Sequence, residues 1–572
     1  MPQRPSDTSP ATLHGAPRRP ARLRIADEMD RPQTLSDGPE AWEQLTHGNG
    51  PVVLLGLGPL PASTPATDQP HPVWYMECPA FAQAAGAAWL AAIPATWQQL
   101  ASLADLPPHA AIFLYRQNLK LFPTFWGPLV AQLRARIIAC RTPQCASRTV
   151  LLPGTPHSLL LPELEAAFTA EGYTPRRVDP DGLGRDLATI LAEERPALTV
   201  SVNLAGMDAL GERFHLLRAC NSPTVIWCVD NPWHVLSALR LPWWRQAHLC
   251  VTDASFLPDL AAHGAGSLLH MPLAAWPELF AAASAPSTLP GVPPEATHRA
   301  PHNGVSGAGT SLTAGPNVPC PHYPASLTPP VSLPPASLMP PASLPRLDHV
   351  VFVGRSAFPD RDRYFAGCRL PDATMHEAQH LLHTPTLPDY HWWTTRLGTT
   401  PLWPSAQVRT PGYGAELCST QRRALCLDAA APLGLTVFGD AGWQQVLPAT
   451  ATLHPPVDYY TTLPHIYARA HLSLNVTSLL LPAGLTQRHF DVWMAGGFVL
   501  TDATPGLGIF PRQLTEQLVF RTPADLPATV RRLDSDPALR VDLQRAWVQC
   551  LHEQHTYRHR IRTLLEHVGL TT

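Results

Sequence analysis

The chain has 572 residues, which at roughly 100 to 200 residues per domain predicts three or four domains. Its 41 basic and 44 acidic residues give a net charge of −3, and without a basic surplus dedicated nucleic-acid binding is disfavoured. The sequence shows no signal-peptide core and no run of about 18 apolar residues. We therefore expect a cytoplasmic protein without a transmembrane segment, and reduced thiols at its 11 scattered cysteines.

Two segments have the composition of non-globular chain. Residues 1–40 are rich in Pro, Arg, Ser and Asp without periodicity, which predicts a disordered lead. Residues 286–345 contain 16 prolines and three copies of PASL, which predicts an extended low-complexity linker. This linker is interpreted either as a tether between domains or as a docking site for a proline-recognising partner.

The rest of the chain predicts three α/β units, because short apolar runs alternate with helical stretches as they do in parallel sheets with crossover helices. An accessory unit at 41–147 has apolar runs at 51–58, 73–78 and 110–115. A second unit at 148–285 has runs at 148–154, 197–203, 224–230, 248–253 and 267–273. A third unit at 346–572 has runs at 349–355, 433–440, 470–476 and 498–502.

In the first unit, Gly56 and Gly58 follow one apolar run, and Glu77 follows the next. Glycines at a strand end let a ligand approach the backbone, and an acid at the neighbouring strand tip can accept hydrogen bonds from ribose hydroxyls. Two interpretations stay open: a nucleotide or S-adenosylmethionine pocket, or a structural domain without a ligand.

In the second unit, Asp230 ends an apolar run and precedes Asn231 and Pro232. Ligand crevices of open α/β sheets lie at the carboxyl ends of strands, so Asp230 could orient or deprotonate an acceptor hydroxyl. The alternative is that Asp230 caps the helix that follows. Asn203, at another predicted strand end, has the same two interpretations.

The third unit contains the most informative segment, 463–502. A strand leads into a loop that contains Gly484, and the next helix carries Gln487, Arg488 and Asp491 before it ends at Gly496 and Gly497. A helix N-terminus after a small, glycine-containing loop favours anions, because its free amides and its dipole both point at them. We expect Arg488 to contact a diphosphate and Asp491 to face a ribose.

This segment resembles the C-terminal signature of the CgeB-like (spore maturation) group of GT-B glycosyltransferases. The matching residues are Asn475, QRHFDVWMAGGFVLTD at 487–502 and EQHTYRHRIRTLL at 553–565. The segments SVNLAGMD (201–208) and VIWCVDNPWH (225–234) are similar to the N-terminal half of that group. The resemblance covers roughly 148–285 and 346–570.

The resemblance implies two Rossmann-like domains facing a cleft, with 148–285 on the acceptor side and 346–572 holding a nucleotide sugar. It further implies a bacterial, metal-independent enzyme of glycan biosynthesis that needs no cofactor besides its nucleotide-sugar co-substrate. We expect Asp230 to be the catalytic residue. The residues expected to bind the nucleotide sugar are Arg355, Asn475, Gly484, Gln487, Arg488, Asp491, Gly496 and Gly497. No metal ligand is expected.

One departure from the family pattern keeps alternatives open. Related retaining enzymes have an acid eight positions before the residue that matches Asp491, and here that position is Ala483. A non-catalytic scaffold that binds nucleotide or carbohydrate is therefore the rival interpretation, and methyl transfer by the first unit is a third. The sugar, the base, the stereochemistry and the acceptor, whether glycan, lipid-linked or protein, stay open.

Overall fold

The structure, a computed structural model, describes residues 22–65, 71–141, 147–156, 158–280 and 344–570. The first half of the predicted lead and nearly all of the predicted linker lie outside these residues. Within the described ranges, none of the helices combines the length and the apolar character needed to cross a bilayer.

The chain forms two compact units. The first comprises the described residues up to 141 together with Leu187–Arg195 and Asp208–Ser222. The second comprises the other described residues. Most of the two later predicted α/β units therefore belongs to a single compact unit.

An antiparallel hairpin occupies residues 22–36, where the sequence predicted disorder. Its strands are β1 Arg22–Ala26 and β2 Pro32–Ser36. The Asp27 carboxylate accepts hydrogen bonds from two backbone N–H groups of the turn. Ile25 and Leu35 are buried in the core of the first unit. The prediction was wrong for this segment because one buried side chain in each strand is too weak a periodic signal to be seen among polar residues.

The described residues of the first unit up to 141 also contain a five-stranded sheet and four α-helices. The strands are β3 Trp42–Thr46, β4 Val52–Leu55, β5 Val73–Met76, β6 Gln98–Gln99 and β7 Ala111–Tyr115. The helices are α1 Pro79–Ala85, α2 Ala87–Ala91, α3 Asn118–Leu121 and α4 Pro123–Arg141. The strand order is β3-β7-β4-β5-β6, and β3 alone is antiparallel to its neighbour in this sheet. Each predicted apolar run of this unit contains one strand.

The second unit opens with sheet A, six parallel strands in the order β13-β12-β11-β10-β8-β9. The strands are β8 Thr149–Pro153, β9 Thr174–Val178, β10 Leu198–Val202, β11 Thr224–Cys228, β12 His248–Val251 and β13 Ser267–His270. The helices in this part of the chain are α5 Leu161–Ala170, α6 Leu183–Glu193, α7 Glu212–Ala219, α8 Pro232–Leu236, α9 Leu257–Ala262 and α10 Pro277–Phe280.

Sheet B of the second unit also has six parallel strands, in the order β16-β15-β14-β17-β18-β19. The strands are β14 Val350–Val353, β15 Leu435–Phe438, β16 Thr452–His454, β17 Leu472–Asn475, β18 Val499–Asp502 and β19 Val519–Phe520. The helices are α11 Arg361–Tyr364, α12 Asp372–Leu381, α13 Tyr390–Arg396, α14 Arg409–Ala430, α15 Leu463–Arg469, α16 Arg488–Met494, α17 Arg512–Thr515, α18 Leu526–Asp534, α19 Pro537–Gln554 and α20 Tyr557–His567.

Each of the cores of sheets A and B contains residues that lie next to the other sheet in the chain. Helix α20, the last element, buries Ile561 and Leu564 in the core of sheet A, although it follows sheet B in the chain. In return, Ala275 and Phe280, which follow sheet A, are buried in the core of sheet B. The two halves of the second unit are therefore joined by packing as well as by the chain, and the predicted boundaries at 285 and 346 do not separate them.

Candidate functional site

A cavity of about 260 Å³ opens at the carboxyl ends of strands from both sheets A and B. The segment after β11 in sheet A contributes Asp230. In sheet B, the segments after β14 and β17 contribute Arg355 and Ser478. Open parallel sheets bind ligands at this edge, where the strand order reverses, and in sheet B that point lies between β14 and β17. The cavity is therefore the candidate site.

Three arginines line the cavity on its sheet B side: Arg355, Arg423 and Arg488. The guanidinium of Arg423 donates to the backbone carbonyl of Arg355 at 2.8 Å, which fixes the loop after β14. The side chain of Arg355 makes no hydrogen bond or ion pair within the part of the chain that the structure describes. Three guanidinium groups around one cavity favour an anionic ligand with several oxygens, such as a diphosphate.

Arg488 is held in place by the backbone and by a buried asparagine. Its guanidinium donates to the carbonyl of Val353, at the end of β14, and to Oδ1 of Asn475 at 3.2 Å. Asn475 is fully buried, and its Oδ1 also accepts from the Thr486 hydroxyl at 2.8 Å. Asn475 does not line the cavity; it positions Arg488 and Thr486, and its contact with a nucleotide sugar stays a prediction.

Asp230, which follows the end of β11 in sheet A, lines the cavity, and its side chain is partly exposed. Burial raises the pKa of its carboxyl to about 6, and a 2.8 Å hydrogen bond from Nδ2 of Asn203 acts in the opposite direction. Oδ1 of Asn203 accepts from the backbone N–H of Val229, which fixes the amide. A carboxylate with a pKa close to neutrality is suited to accept a proton from a hydroxyl group.

The helix after β11 is capped by Asn231 and not by Asp230. Oδ1 of Asn231 accepts from the backbone N–H groups of Trp233 and His234, at the first turn of α8. Nδ2 of Asn231 donates to the carbonyl of Leu480 on the sheet B side. The capping interpretation of Asp230 is therefore wrong, since its neighbour fills that position and leaves the Asp230 carboxylate at the cavity.

Besides Asp230 and the arginines, two titratable groups line the cavity, Glu416 and His234. Glu416 accepts a hydrogen bond from the backbone N–H of Phe358 and lies 3.8 Å from Arg423. Burial raises the pKa of Glu416, and the Arg423 charge opposes that shift. Burial lowers the pKa of His234 to about 3, so its ring is neutral. Asp230 is thus the carboxyl best placed to exchange a proton with a ligand.

Gln487 and Asp491, both predicted to bind the nucleotide sugar, lie away from the cavity. Asp491 is fully buried and accepts a 2.7 Å hydrogen bond from the Tyr459 hydroxyl. The amide of Gln487 donates to the same hydroxyl and accepts from Tyr557, the first residue of α20. Burial raises the pKa of Asp491 well above its usual range. In this structure the Asp491 carboxyl lies in a buried network with Tyr459 and not at the cavity, and the ribose contact expected of it stays a prediction.

The three predicted glycines also lie outside the cavity lining. Gly484 packs against Leu481, whose Cβ would lie 2.6 Å from a side-chain carbon added at that glycine. Gly496, with a φ of +78°, ends α16 in a left-handed conformation. A side chain at Gly497 would meet the carbonyl of Tyr467 at 2.5 Å. These glycines shape the loop before α16 and the end of that helix, and the ligand contacts expected of them stay a prediction.

At Ala483, where the family pattern has an acid, the structure brings a carboxylate from sheet A. The backbone N–H of Ala483 donates to Oδ2 of Asp253, which follows β12, at 2.9 Å. Oδ1 of Asp253 accepts from the hydroxyl and N–H of Ser255. Asp253 is buried and does not line the cavity, so it anchors the loop and does not replace the missing acid.

In the first unit, the candidate nucleotide pocket is filled by the protein itself. Glu77 is buried and accepts from the backbone N–H of Leu57 at 2.8 Å, while Asn118 donates to its other oxygen. A side chain at Gly56 would meet Nδ2 of Asn118 at 2.1 Å, and one at Gly58 would meet the Tyr115 ring. These contacts favour the structural interpretation, because the glycines make room for protein side chains and the acid already binds protein donors.

Sequence analysis missed Glu416 and Arg423, which helix α14 carries into the site. The N-terminal part of this helix reads RTPGYG, a typical loop composition. Tertiary packing overrides that signal: Gly412 lies against the His234 ring and Gly414 against Trp393, where a side-chain carbon would clash. The glycines allow close packing within a helix instead of ending it.

Comparison with known sequences supports the C-terminal part of this picture. Residues 422–566, about a quarter of the chain, match the sequence profile of the family described as Glycosyl transferase-like. The match contains Arg423, the Asn475 network and helix α16 with Arg488. A search of curated proteins gives no match to this chain.

Three solved structures show a distant similarity. T4 phage BGT in complex with UDP-glucose has 9% identity and a TM-score of 0.36, with 74% of this chain and 99% of that chain covered. The OtsA apo structure has 11% identity and a TM-score of 0.32, with 92% and 100% covered. Arabidopsis thaliana UGT89C1 complexed with UDP-L-rhamnose has 10% identity and a TM-score of 0.25, with 91% and 100% covered.

The architecture and the sequence match agree. Sheets A and B are both parallel, both direct the carboxyl ends of strands to one cavity, and sheet B has the Rossmann strand order with its reversal between β14 and β17. The glycosyl transferase-like domain at 422–566 forms most of sheet B and supplies two of the three cavity arginines. Residues 422–566 thus form a glycosyl transferase-like domain, in a unit built on two parallel α/β sheets whose strand ends meet at one cavity.

Proposed function

We propose that the protein transfers a sugar from a nucleoside-diphosphate sugar to an acceptor hydroxyl in glycan or glycoconjugate assembly. The observation that carries the proposal is the cavity itself, with three arginines on the sheet B side and a carboxylate of raised pKa, Asp230, at the end of a sheet A strand. The nucleotide sugar is the co-substrate, and we propose no other cofactor for the transfer.

In this proposal the arginines act on the leaving group. As the bond from the anomeric carbon to the phosphate oxygen breaks, negative charge grows on the departing diphosphate. Fixed guanidinium groups stabilise that charge without reorganisation, which lowers the barrier of the step. Arg355, Arg423 and Arg488 would thereby supply the positive charge that other transferases take from a divalent cation, which supports a metal-independent reaction.

Asp230 acts on the acceptor in the same step. The acceptor oxygen forms the new bond to the anomeric carbon, and its proton passes to the Asp230 carboxylate. Asn203 keeps that carboxylate pointed at the cavity through its own backbone anchor. The assignment to the CgeB-like group rests on the segments around Asn475, 487–502 and 553–565, and we propose it as the finer family placement.

The test uses Arg355, the cavity arginine whose side chain has no partner among the described residues. We expect Arg355→Ala to weaken binding of the preferred nucleoside diphosphate about 10-fold or more, because a charge-assisted contact to phosphate is lost. The affinity for the corresponding nucleoside, which has no phosphate, should not change. A thermal-shift screen with UDP, GDP and TDP selects the ligand, and calorimetry measures the affinities.

Arg512→Ala is the matched control, since that exposed arginine pairs with Glu516 and does not line the cavity. Equal affinities of parent, Arg355→Ala and Arg512→Ala for the diphosphate would contradict the proposed donor site.

Ala483 favours one rival, a non-catalytic GT-B scaffold, because the acid of related retaining enzymes is absent. The rival predicts nucleotide binding without turnover of any nucleotide sugar. The enzyme interpretation predicts that the parent releases nucleoside diphosphate from a nucleotide sugar. It also predicts that Asp230→Asn loses this release while it keeps the parent's affinity for the donor.

A further inference from the structure

Two histidines and an aspartate meet at the edge of sheet B opposite the cavity. His349 directly precedes β14, His471 directly precedes β17, and Asp534 is the last residue of α18. Nε2 of His349 lies 2.7 Å from one carboxylate oxygen of Asp534, and Nε2 of His471 lies 2.9 Å from the other. The candidate ligand atoms all lie within 4.8 Å of one another, and the three side chains are partly exposed.

These groups have the chemistry of a metal site. Imidazole nitrogen and carboxylate oxygen bind Zn²⁺ at about 2.0 to 2.2 Å, which places the ligand atoms of a tetrahedral ion roughly 3.3 Å apart. The carboxylate oxygens of Asp534 already lie 2.7 and 2.9 Å from the two ring nitrogens, and partial exposure leaves room for water as a fourth ligand. We propose that His349, His471 and Asp534 form a binding site for a divalent transition-metal ion of the zinc class.

The position of Arg540 supports this assignment, because its positively charged guanidinium contacts two of the three proposed ligands. Its Nη1 lies 2.6 Å from Nε2 of His471 and 3.5 Å from the carboxylate of Asp534. A ring nitrogen that accepts from Arg540 carries no proton and cannot also donate to Asp534. The Nε2 of His471 therefore faces one donor and one acceptor and satisfies only one of them. A metal ion that displaces the guanidinium would bind both the ring nitrogen and the carboxylate.

The site is structural and not part of the sugar-transfer step. It lies at the start of β14, whereas the cavity lies past the other end, and a four-residue strand spans about 13 Å. An ion here would join the starts of β14 and β17 to the end of α18, and so would stabilise sheet B. Sequence spacing gave no sign of it, because the three ligands are separated by more than 60 residues at the least and meet only in the folded chain.

The experiment uses the full chain without a polyhistidine tag, stripped of metal and then incubated with Zn²⁺ or Co²⁺. We expect one equivalent of ion per chain after dialysis, visible bands of four-coordinate Co²⁺, and a raised unfolding temperature with Zn²⁺. His471→Gln and Asp534→Asn should each lose the bound ion and the temperature increase. Arg540→Gln should bind the ion more tightly than the parent, because the competing cation is gone.

His465→Ala, which removes an exposed histidine of α15, is the matched control and should bind like the parent. Circular dichroism on each variant confirms that the fold is retained, and His471→Gln remains informative if Asp534→Asn does not fold. Absence of bound ion in the parent would overturn the proposal. So would ion binding that survives both His471→Gln and Asp534→Asn, or weaker binding by Arg540→Gln.

Discussion

At the scale of single residues, the acid-base behaviour of the cavity depends on Asp230 and Asn203. Burial raises the pKa of Asp230 to about 6, and the hydrogen bond from Asn203 lowers it from what burial alone would give. Asn203 adopts a left-handed backbone conformation with a φ of +50°, which asparagine tolerates better than most residues. Two polar residues at neighbouring strand ends thus set when the proposed base is ionised.

This arrangement predicts a pH dependence of turnover. We expect kcat/KM to fall as the pH drops through about 6, because the proposed base becomes protonated. Asn203→Ala removes a hydrogen bond to the charged form, so the acid limb should move to higher pH. Asp230→Asn should lose about 100-fold or more in turnover and should not show that limb. An acid limb at the same pH in the parent and in Asn203→Ala would contradict the role of Asp230.

Arg488 and Asp491 show how far a spacing argument reaches. They are three positions apart in α16, and that spacing predicts neighbouring positions on one helix face. Arg488 reaches the carbonyl of Val353 and the cavity, whereas Asp491 reaches the buried hydroxyl of Tyr459. Helical spacing could not give this difference, because it depends on which elements pack on each side of the helix.

At the scale of elements, a buried polar network connects helices of the two sheets. Glu163 of α5 is fully buried and accepts a hydrogen bond from Tyr460 at 3.1 Å. Its second oxygen has no partner among the described residues. Next to it, Tyr459 binds Asp491 of α16. Burial raises the pKa of Glu163 to about 7, so its charged form is costly to the folded state near neutral pH.

The raised pKa of Glu163 predicts that the free energy of unfolding falls as the pH rises. The folded carboxyl titrates near 7 and the unfolded one near 4.5, so between these values the folded state binds more protons, and stability is lost as the pH rises through this range. Glu163→Gln should abolish this loss and should be more stable than the parent at pH 8 by up to about 3 kcal/mol, with little difference at pH 4.5.

Urea unfolding of the parent and Glu163→Gln at the two pH values measures this effect. Glu165→Gln is the control on the same helix, since that residue forms a surface ion pair with Arg177 and should change stability by less than about 1 kcal/mol at either pH. A parent and a Glu163→Gln variant with parallel pH profiles would rule out the burial argument.

Interior strands could be predicted from the sequence more readily than edge strands. Central strands such as β11 and β15 are buried along their whole length and read as apolar runs. The edge strand β9 has the sequence TPRRV, in which proline and two arginines are tolerated because one side of the strand has no partner. Sequence analysis therefore found the interior strands of each large sheet and missed the edge strands except β13 of sheet A, which lies in the predicted run 267–273.

At the scale of the whole molecule, helix α20 completes the core of sheet A from the far end of the chain. Ile561, Leu564 and Leu565 are buried there, and an isolated parallel bridge joins Thr556 to Ala275. The sequence suggested that 553–565 matched a family helix, but periodicity could not indicate which sheet the helix would cover.

This packing predicts that the C-terminal helix is needed for the stability of the second unit. Ile561→Ala should cost about 2 to 5 kcal/mol, because it leaves a cavity in a fully buried position. Val541→Ala, at an exposed apolar position of α19, should cost less than about 0.5 kcal/mol. Equilibrium unfolding in urea measures both, and similar small losses in the two variants would place α20 outside the core.

The sequence by itself determined the class of fold, the central strands of the three larger sheets and three of the residues that line the cavity: Asp230, Arg355 and Arg488. It could do so because buried strands leave apolar runs, and because parallel sheets put ligands at the carboxyl ends of strands. Local pattern was sufficient wherever burial or strand-end position alone set the residue type.

Only the tertiary structure decided which polar residues face the cavity and which are buried in the protein. Asp491 is hydrogen-bonded to a buried tyrosine, and Asn118 packs against Gly56 where the first unit was predicted to bind a ligand. Arg423 reaches the cavity from a helix whose first residues have the composition of a loop. The physical reason is that hydrogen bonds and close glycine contacts join residues that are far apart in the chain. Sequence spacing gives information only about residues that are close together in the chain.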